Sequence, residues 1–305
     1  YCSSGSGNLT NNQRQILFGT VLTDATMDAV RGKTLCGANA AVAISRLGGD
    51  SVFCARVGRD RNGNDLKMIY EFEGVDTRFV TTDPSLPTGF CVLRANDPAA
   101  KHIIVSPDAN SALAASDITD AFICRPDALL MSAELDRELV IAAANLADER
   151  GVPIYLDACR SVASFPFDEL PCLELFTPDE TEGRMLTDIS PDTPEKCLKA
   201  VVTLSKIVRA RFYAIKLGSR GCYIYDGKYY HCLPSYDVKV KDTSAAGDAF
   251  TAAMTLEHIS HRNIERAGKV ACVVASLTVS RRGALVSLPK REDVAAFIAD
   301  RTIRL

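Results

Sequence analysis

The chain has 305 residues, 47% hydrophobic and 24% charged, with 35 basic against 38 acidic side chains. Such a length buries a sizeable core without staples, and a net charge of −3 offers no electrostatic footprint for a nucleic acid or an anionic membrane. The eleven cysteines are odd in number and never in C-x-x-C spacing, which argues against a disulfide framework or a zinc ribbon and for thiols in a reducing cytoplasm.

Tyr1–Gln13, rich in Ser, Gly and Asn, reads as a flexible leader, and residues 14–305 as one domain. No charged segment followed by an apolar one opens the chain, so no secretory signal is expected. The longest nearly apolar stretch, Val270–Val279, falls far short of the ~20 residues of a membrane span.

Gln15–Val21 predicts a first buried strand, with a polar step at Thr23-Asp24. Gly37–Leu47 has helical spacing and stops at Gly48-Gly49. Ser51–Val57 reads as a strand, Asp65–Phe72 as a helix, and Thr88–Arg94 and His102–Val105 as two strands. From Asp127 strands and helices alternate. Strands are expected at Ala128–Met131, Pro153–Asp157, Leu173–Phe176 and Tyr213–Leu217, and helices at Arg137–Arg150, Asp179–Leu186 and Pro194–Ala210. Asp226-Gly227 marks a hairpin between Cys222–Tyr225 and Lys228–Cys232. Tyr236–Val240 is strand-like, and helices Ala246–His258, Ile264–Val279 and Arg291–Asp300 close the chain. This alternation implies an α/β fold whose mostly parallel sheet has helices on both faces. Two segments, near 24–35 and 88–105, stand outside it.

Several motifs carry little. Gly32-Lys33-Thr34 lacks the P-loop glycine five residues earlier, where Met27 stands. Gly5-Ser6-Gly7 follows no strand and has no third glycine, and no G-x-G-x-x-G supports a nicotinamide enzyme. His258 and His261 have no carboxylate motif around them, and four histidines make no hydrolase triad.

The strongest pattern is Asp242-Thr-Ser-Ala-Ala-Gly-Asp248-Ala-Phe250 at the start of a long apolar helix. Ala245, Ala246 and Gly247 allow close approach to first-turn N–H groups, a cradle for phosphate. A carboxylate at Asp248 suits that position if it takes a proton from an attacking hydroxyl.

This stretch resembles the D-T-x-[GA]-A-G-D-x-F signature of the ribokinase-like (PfkB-type) carbohydrate kinases. Gly37-Ala-Asn39, Gly58-x-Asp60-x-x-Gly63, Gly74-Val75-Asp76, Ser106–Asn110, Thr177–Glu182, Leu217–Gly221 and Ser280–Ser287 resemble further motifs of that family, in the same order from Ile16 to Ile298. The resemblance implies a three-layer ribokinase-like fold with a small β lid near 24–35 and 88–105. It implies an ATP-dependent sugar kinase of ribokinase type, with Mg²⁺ and a monovalent cation such as K⁺. Asp248 then matches the base and Ala245–Gly247 the anion hole. Asp24, Gly37, Asn39 and Glu134 match sugar contacts. Asp179, Lys216, Gly218, Ser219, Arg220 and Gly221 match the nucleotide strip, and Glu182 the Mg²⁺ group. Asp242, Ser244, Thr278, Arg281, Gly283 and Ser287 match the cation loops. Pairing of lid strands between subunits gives a route to a homodimer.

The chain departs from the pattern at Thr34, Leu35 and Cys36, where two glycines and often a lysine are usual, and in a short Asp24–Gly37 interval. Asp179 replaces an asparagine, and Lys216 stands where threonine is common. Lys216 either offsets the Asp179 charge or ends a strand at the surface. Other readings are a fructokinase, a 2-keto-3-deoxygluconate kinase, a nucleoside kinase, or a silent sugar- or nucleotide-binding regulator.

Overall fold

The computed structural model describes residues 14–18, 23–24, 37–94 and 102–305. The leader, Gly32–Cys36 and the remainder of the 24–35 segment beyond Asp24 lie outside them. Nine strands form one sheet: β1 (Arg14–Phe18), β3 (Asp50–Gly58), β4 (Asp76–Asp83), β7 (Ala128–Ser132), β8 (Ile154–Asp157), β9 (Leu173–Thr177), β10 (Ala210–Lys216), β11 (Cys222–Tyr225) and β12 (Tyr230–Leu233). Their order is β12-β11-β10-β9-β8-β7-β1-β3-β4. Every pair from β10 to β4 is parallel, and β11 and β12 add an antiparallel edge. A separate three-stranded sheet holds β2 (Thr23–Asp24), β5 (Phe90–Arg94) and β6 (His102–Ser106) in the order β2-β5-β6.

The central strands are apolar on both sides because both faces are covered. Phe53, Ala55, Leu130, Tyr155, Leu175 and Ala214 pack with α1 (Gly37–Arg46), α2 (Arg61–Phe72), α7 (Ala246–His261), α8 (Ile264–Val279) and α9 (Arg291–Asp300). Their neighbours Val52, Cys54, Leu129, Leu156 and Ile215 pack with α3 (Ala115–Ala121), α4 (Arg137–Glu149) and α6 (Pro194–Leu204). The three layers implied by the family resemblance are therefore present. Between α1 and α8, α7 is buried on all sides from Ala249 to Ile259. Small residues Ala249, Ala252 and Ala253 allow that approach. Its His258 Nδ1 lies 2.8 Å from the Tyr155 hydroxyl of β8, a polar tie between helix and sheet.

Four expectations are corrected. Tyr236–Val240 is no strand: Tyr236 N donates to Ser276 Oγ rather than to a neighbouring strand, and residues 234–243 have no regular structure. The helix from Pro194 stops at Leu204, because Arg209 already accepts from Leu173 N in the sheet. The second hairpin strand starts at Tyr230, since Asp226 Oδ1 accepts from the amides of Lys228 and Tyr229. The helix expected at Asp65 begins at Arg61, where the Asp60 carboxylate caps it by accepting from Gly63 N.

Asp60 does more than cap. Its carboxylate also accepts from Thr88 N at 2.7 Å and Thr88 Oγ1 at 2.7 Å, which pins the chain just before β5. A Cβ on Gly58 would stand 2.4 Å from Thr88 N, so only glycine permits the crossing. The G-x-D-x-x-G motif is thus a clamp between the two sheets. Burial works to raise the Asp60 pKa, but the hydrogen bonds from Thr88 and Gly63 prevail and lower it.

Candidate active site

Four parallel strands end on one cleft of about 1240 Å³. β7 stops two residues before Glu134, β8 ends on Asp157, β9 stops two residues before Asp179, and β10 ends on Lys216. All four residues line the cleft. Crevices outside the carboxyl ends of such strands are where open α/β sheets bind ligands. The first turn of α7, with Ala246, Gly247 and Asp248, forms the facing wall. Tyr236, Val238 and Val240 with Cys272, Ala275 and Val279 of α8 make an apolar end.

The α7 N-terminus is open to an anion. Ala245 is left-handed (φ 57°), so the chain turns sharply out of Asp242–Ser244 into the helix, and no side chain caps it. The first-turn amides and the positive end of the helix dipole face the cleft. Asp248 sits in this turn, and its Oδ2 accepts from Asn39 Nδ2 at 2.8 Å. An ionised carboxylate only accepts, so the amide presents its NH₂ group. Burial pushes the Asp248 pKa up to about 7, the Asn39 hydrogen bond pulls it down, nearby Asp157 and Glu134 push it up, and Lys216 pulls it down. A carboxylate poised there is matched to base chemistry near neutral pH.

Lys216 is not a surface strand end. Its Nζ donates to Asp157 Oδ1 at 2.6 Å, and its side chain is only 14% exposed. Asp157 Oδ2 in turn accepts from Thr251 Oγ1 at 2.9 Å, one turn into α7. Asp179 caps α5 (Glu180–Thr187) in a reciprocal pair: Asp179 Oδ1 accepts from Glu182 N at 2.8 Å, and Glu182 Oε2 from Asp179 N at 2.7 Å. Burial raises the Glu182 pKa, Lys216 opposes it, and Asp157 and Asp179 add to the rise.

The residues matched to a nucleotide strip form a tight turn after β10. Gly218, Ser219 and Gly221 line the cleft. Gly221 has φ 89°, and a Cβ there would stand 2.0 Å from the Leu233 carbonyl oxygen. Arg220 turns away, donating to the Asp192 and Pro191 carbonyls and pairing with Glu180 at 2.9 Å. Gly37 opens α1 and is buried with Asn39. The Asp24 backbone pairs with Cys91, and its side chain lies outside the described residues.

The loops matched to a monovalent-cation site also meet. Val279 O accepts from Lys241 N and Asp242 N. Asp242 Oδ1 accepts from Ser244 N and Oγ, and Oδ2 from Gly283 N at 2.9 Å. Thr278 and Ser287 are buried and donate to Val274 O and Ala284 O, while Arg281 turns out to Asp293.

Asp157, Thr251 and Cys159 at this site were not singled out from the sequence. Asp157 had a readable signal, since it ends a buried parallel strand as a lone carboxylate. Thr251 had none beyond its place one turn after Gly247.

Residues 36–291 match the pfkB family of carbohydrate kinases. The chain belongs to that family. As a pfkB member it is an ATP-dependent carbohydrate kinase. It is 29% identical to ribokinase of Haemophilus influenzae over 266 residues, 86% of either chain. It is 26% identical to fructokinase-1 of Zea mays over 284 residues, again 86% of either chain. Among solved structures, Arabidopsis thaliana ribokinase complexed with ribose and ATP superposes with a TM-score of 0.81 at 24% identity, covering 94% of this chain and 99% of that one. The ribokinase-like fold expected from the motifs is thereby the observed one. Among the described residues, no helix of this pfkB kinase is long and apolar enough to cross a membrane.

Proposed function

We propose that this pfkB kinase is a ribokinase, moving the γ-phosphate of ATP onto a hydroxyl of ribose with Asp248 as general base. The observation that carries the reading is Asp248 itself, a carboxylate with a pKa raised to about 7 in the uncapped first turn of α7. Asp248 takes the proton as the sugar oxygen attacks the γ-phosphorus in line. The α7 amides of Ala246 and Gly247, entered through the Ala245 turn, neutralise charge on the transferring group. Asn39 holds the base in place. Glu134 and Asp24 stand on the sugar side, with β2, β5 and β6 as its lid. Gly218, Ser219 and Gly221 carry the nucleotide, with Arg220 bracing their turn from behind.

Glu182 and Asp179 fit a divalent cation. Each has one oxygen in the reciprocal cap, and burial, with Asp157 and Asp179 adding to it against Lys216, raises Glu182. Mg²⁺ keeps several waters and takes one or two carboxylates plus phosphates, which this pair can supply. Bound there, Mg²⁺ would neutralise the β- and γ-phosphates. The loops of Asp242, Ser244, Thr278, Gly283 and Ser287 fit a monovalent cation such as K⁺. They offer one carboxylate and oxygen donors, and Arg281 is directed outward.

The same reading sets the protein in the cytoplasm with reduced thiols, with a leader over 1–13, no nucleic-acid or membrane partner, and a homodimer through the lid strands. A fructokinase is the second reading, supported by the maize relative and by Thr34, Leu35 and Cys36 in the sugar loop. ADP release measured against ribose, fructose, 2-keto-3-deoxygluconate and nucleosides, with and without K⁺, separates them. Ribose is expected to give the highest kcat/KM. Fructose in first place would replace the assignment, and no acceptor at all would favour a regulator.

A further inference from the structure

Seven carboxylates line the cleft among the described residues: Glu134, Asp157, Asp179, Glu180, Glu182, Asp237 and Asp248. Against them Lys216 is the one basic side chain in that lining. A phosphate chain entering such a cleft meets net negative charge, so the position of the single cation decides where phosphate can rest. Lys216 has a defined position. Its backbone joins β10 to Asp179 through a parallel bridge, and its N–H donates to Pro178 O at 2.9 Å. Its ammonium is anchored on Asp157, which is anchored on Thr251 of α7. A Cβ added at Gly247 would lie 3.6 Å from Lys216 Nζ. The ammonium therefore stands over the open first turn of α7, beside the amides that receive the transferring group.

We infer that Lys216 is a catalytic residue that contacts the γ-phosphate, held in position by Asp157. This rests on the kinase reading above and deepens it. In the transfer, the bond from the sugar oxygen to the γ-phosphorus forms and the bond from that phosphorus to the bridging oxygen of ADP breaks. The acceptor proton goes to Asp248. Lys216 keeps its proton throughout, keeps one hydrogen bond to the Asp157 carboxylate and turns its remaining N–H donors to phosphoryl oxygens. Its charge offsets the carboxylate that Asp179 puts in the site. Burial disfavours the ammonium, but Asp157 and Glu182 outweigh it and keep Lys216 charged. Asp157 is a positioning residue, since it acts through the lysine.

The test is calorimetric titration of the full chain with Mg²⁺ and either β,γ-imido-ATP or ADP, alongside steady-state turnover with the best acceptor. Lys216→Gln should weaken the imido-ATP complex by about tenfold or more, the worth of a charge-assisted hydrogen bond, and the ADP complex by less than about threefold. Its kcat should fall roughly 10²–10³-fold, as for loss of one oxyanion donor. Lys216→Arg should recover part of both. The double variant Asp157→Asn/Lys216→Gln leaves no carboxylate of that pair unpaired, so it reads the same quantities if the single variant folds poorly. It should stay as defective as Lys216→Gln. Recovery of turnover and of the imido-ATP preference in the double variant would reduce Lys216 to a structural ion pair and overturn the inference. Unchanged binding of both nucleotides by a folded Lys216→Gln would overturn it too, leaving the kinase reading intact. A wild type that binds neither nucleotide would overturn both.

Discussion

Burial, Asp157 and Glu134 raise the proton affinity of Asp248, and Asn39 and Lys216 lower it, leaving its pKa near 7 in the free enzyme. The acid limb of kcat/KM reports that group, since kcat/KM follows the free enzyme. Activity should rise with pH through about 7 as Asp248 ionises. Asn39→Ala removes the hydrogen bond that favours the ionised form, so Asp248 keeps its proton to higher pH. The acid limb should then move up by roughly one unit. A pH–rate profile of the two proteins checks this, and a limb that stays in place or moves down contradicts the role given to Asn39. The place of Asp248 was legible in the sequence, because small residues beside a carboxylate at a helix start mark an open, anion-accepting first turn. The partnership of Asn39 with Asp248 was not, since 209 residues separate them and only the packing of α1 on α7 brings them together. Asp157 could be read as a lone carboxylate at a strand end, but its role could not. Its meaning comes from Lys216 and Thr251, and each belongs to a different element.

At the scale of elements, α7 points its N-terminus at the cleft because α1 and α8 enclose it, and the Gly218–Gly221 turn shapes the opposite wall. Gly221 (φ 89°, ψ −126°) occupies backbone space reserved for glycine, and its α-carbon lies against the Leu233 carbonyl. Gly221→Ala should cost about 1–3 kcal/mol of stability, seen as a Tm lower by several degrees. It should also raise the KM for ATP more than that for sugar. An unchanged Tm would show that the turn relaxes freely. Elements with strong end signals were legible to the residue. α8 begins after Asn263, whose side chain accepts from Arg266 N, and runs to Val279 as expected. β4 was passed over because only three of its eight positions are buried and its pattern carries no apolar run. Tyr236–Val240 misled for the opposite reason. Its alternating apolar residues face the cleft and a helix, not a neighbouring strand.

On the scale of the whole molecule, a charge of −3 spread over 305 residues conceals a cleft in which, among the described residues, seven carboxylates face one lysine. The phosphate chain of ATP needs added positive charge to enter it. Chelating Mg²⁺ should weaken ATP binding by tenfold or more and leave adenosine binding nearly unchanged. Equal losses for both ligands would mean that the metal supports the fold rather than the phosphates. The layered architecture was legible from the alternation of strands and helices, and the family from its ordered motifs. The acceptor was not, because Thr34, Leu35 and Cys36 depart from the family pattern in the stretch that the resemblance assigns to the sugar loop. The central claim is that Asp248 removes the acceptor proton. Its most direct test is turnover of Asp248→Asn with ATP and the best acceptor. The expected result is ATP binding close to wild type with kcat lowered at least ~10²-fold; a variant that turns over within a few-fold of wild type would contradict it.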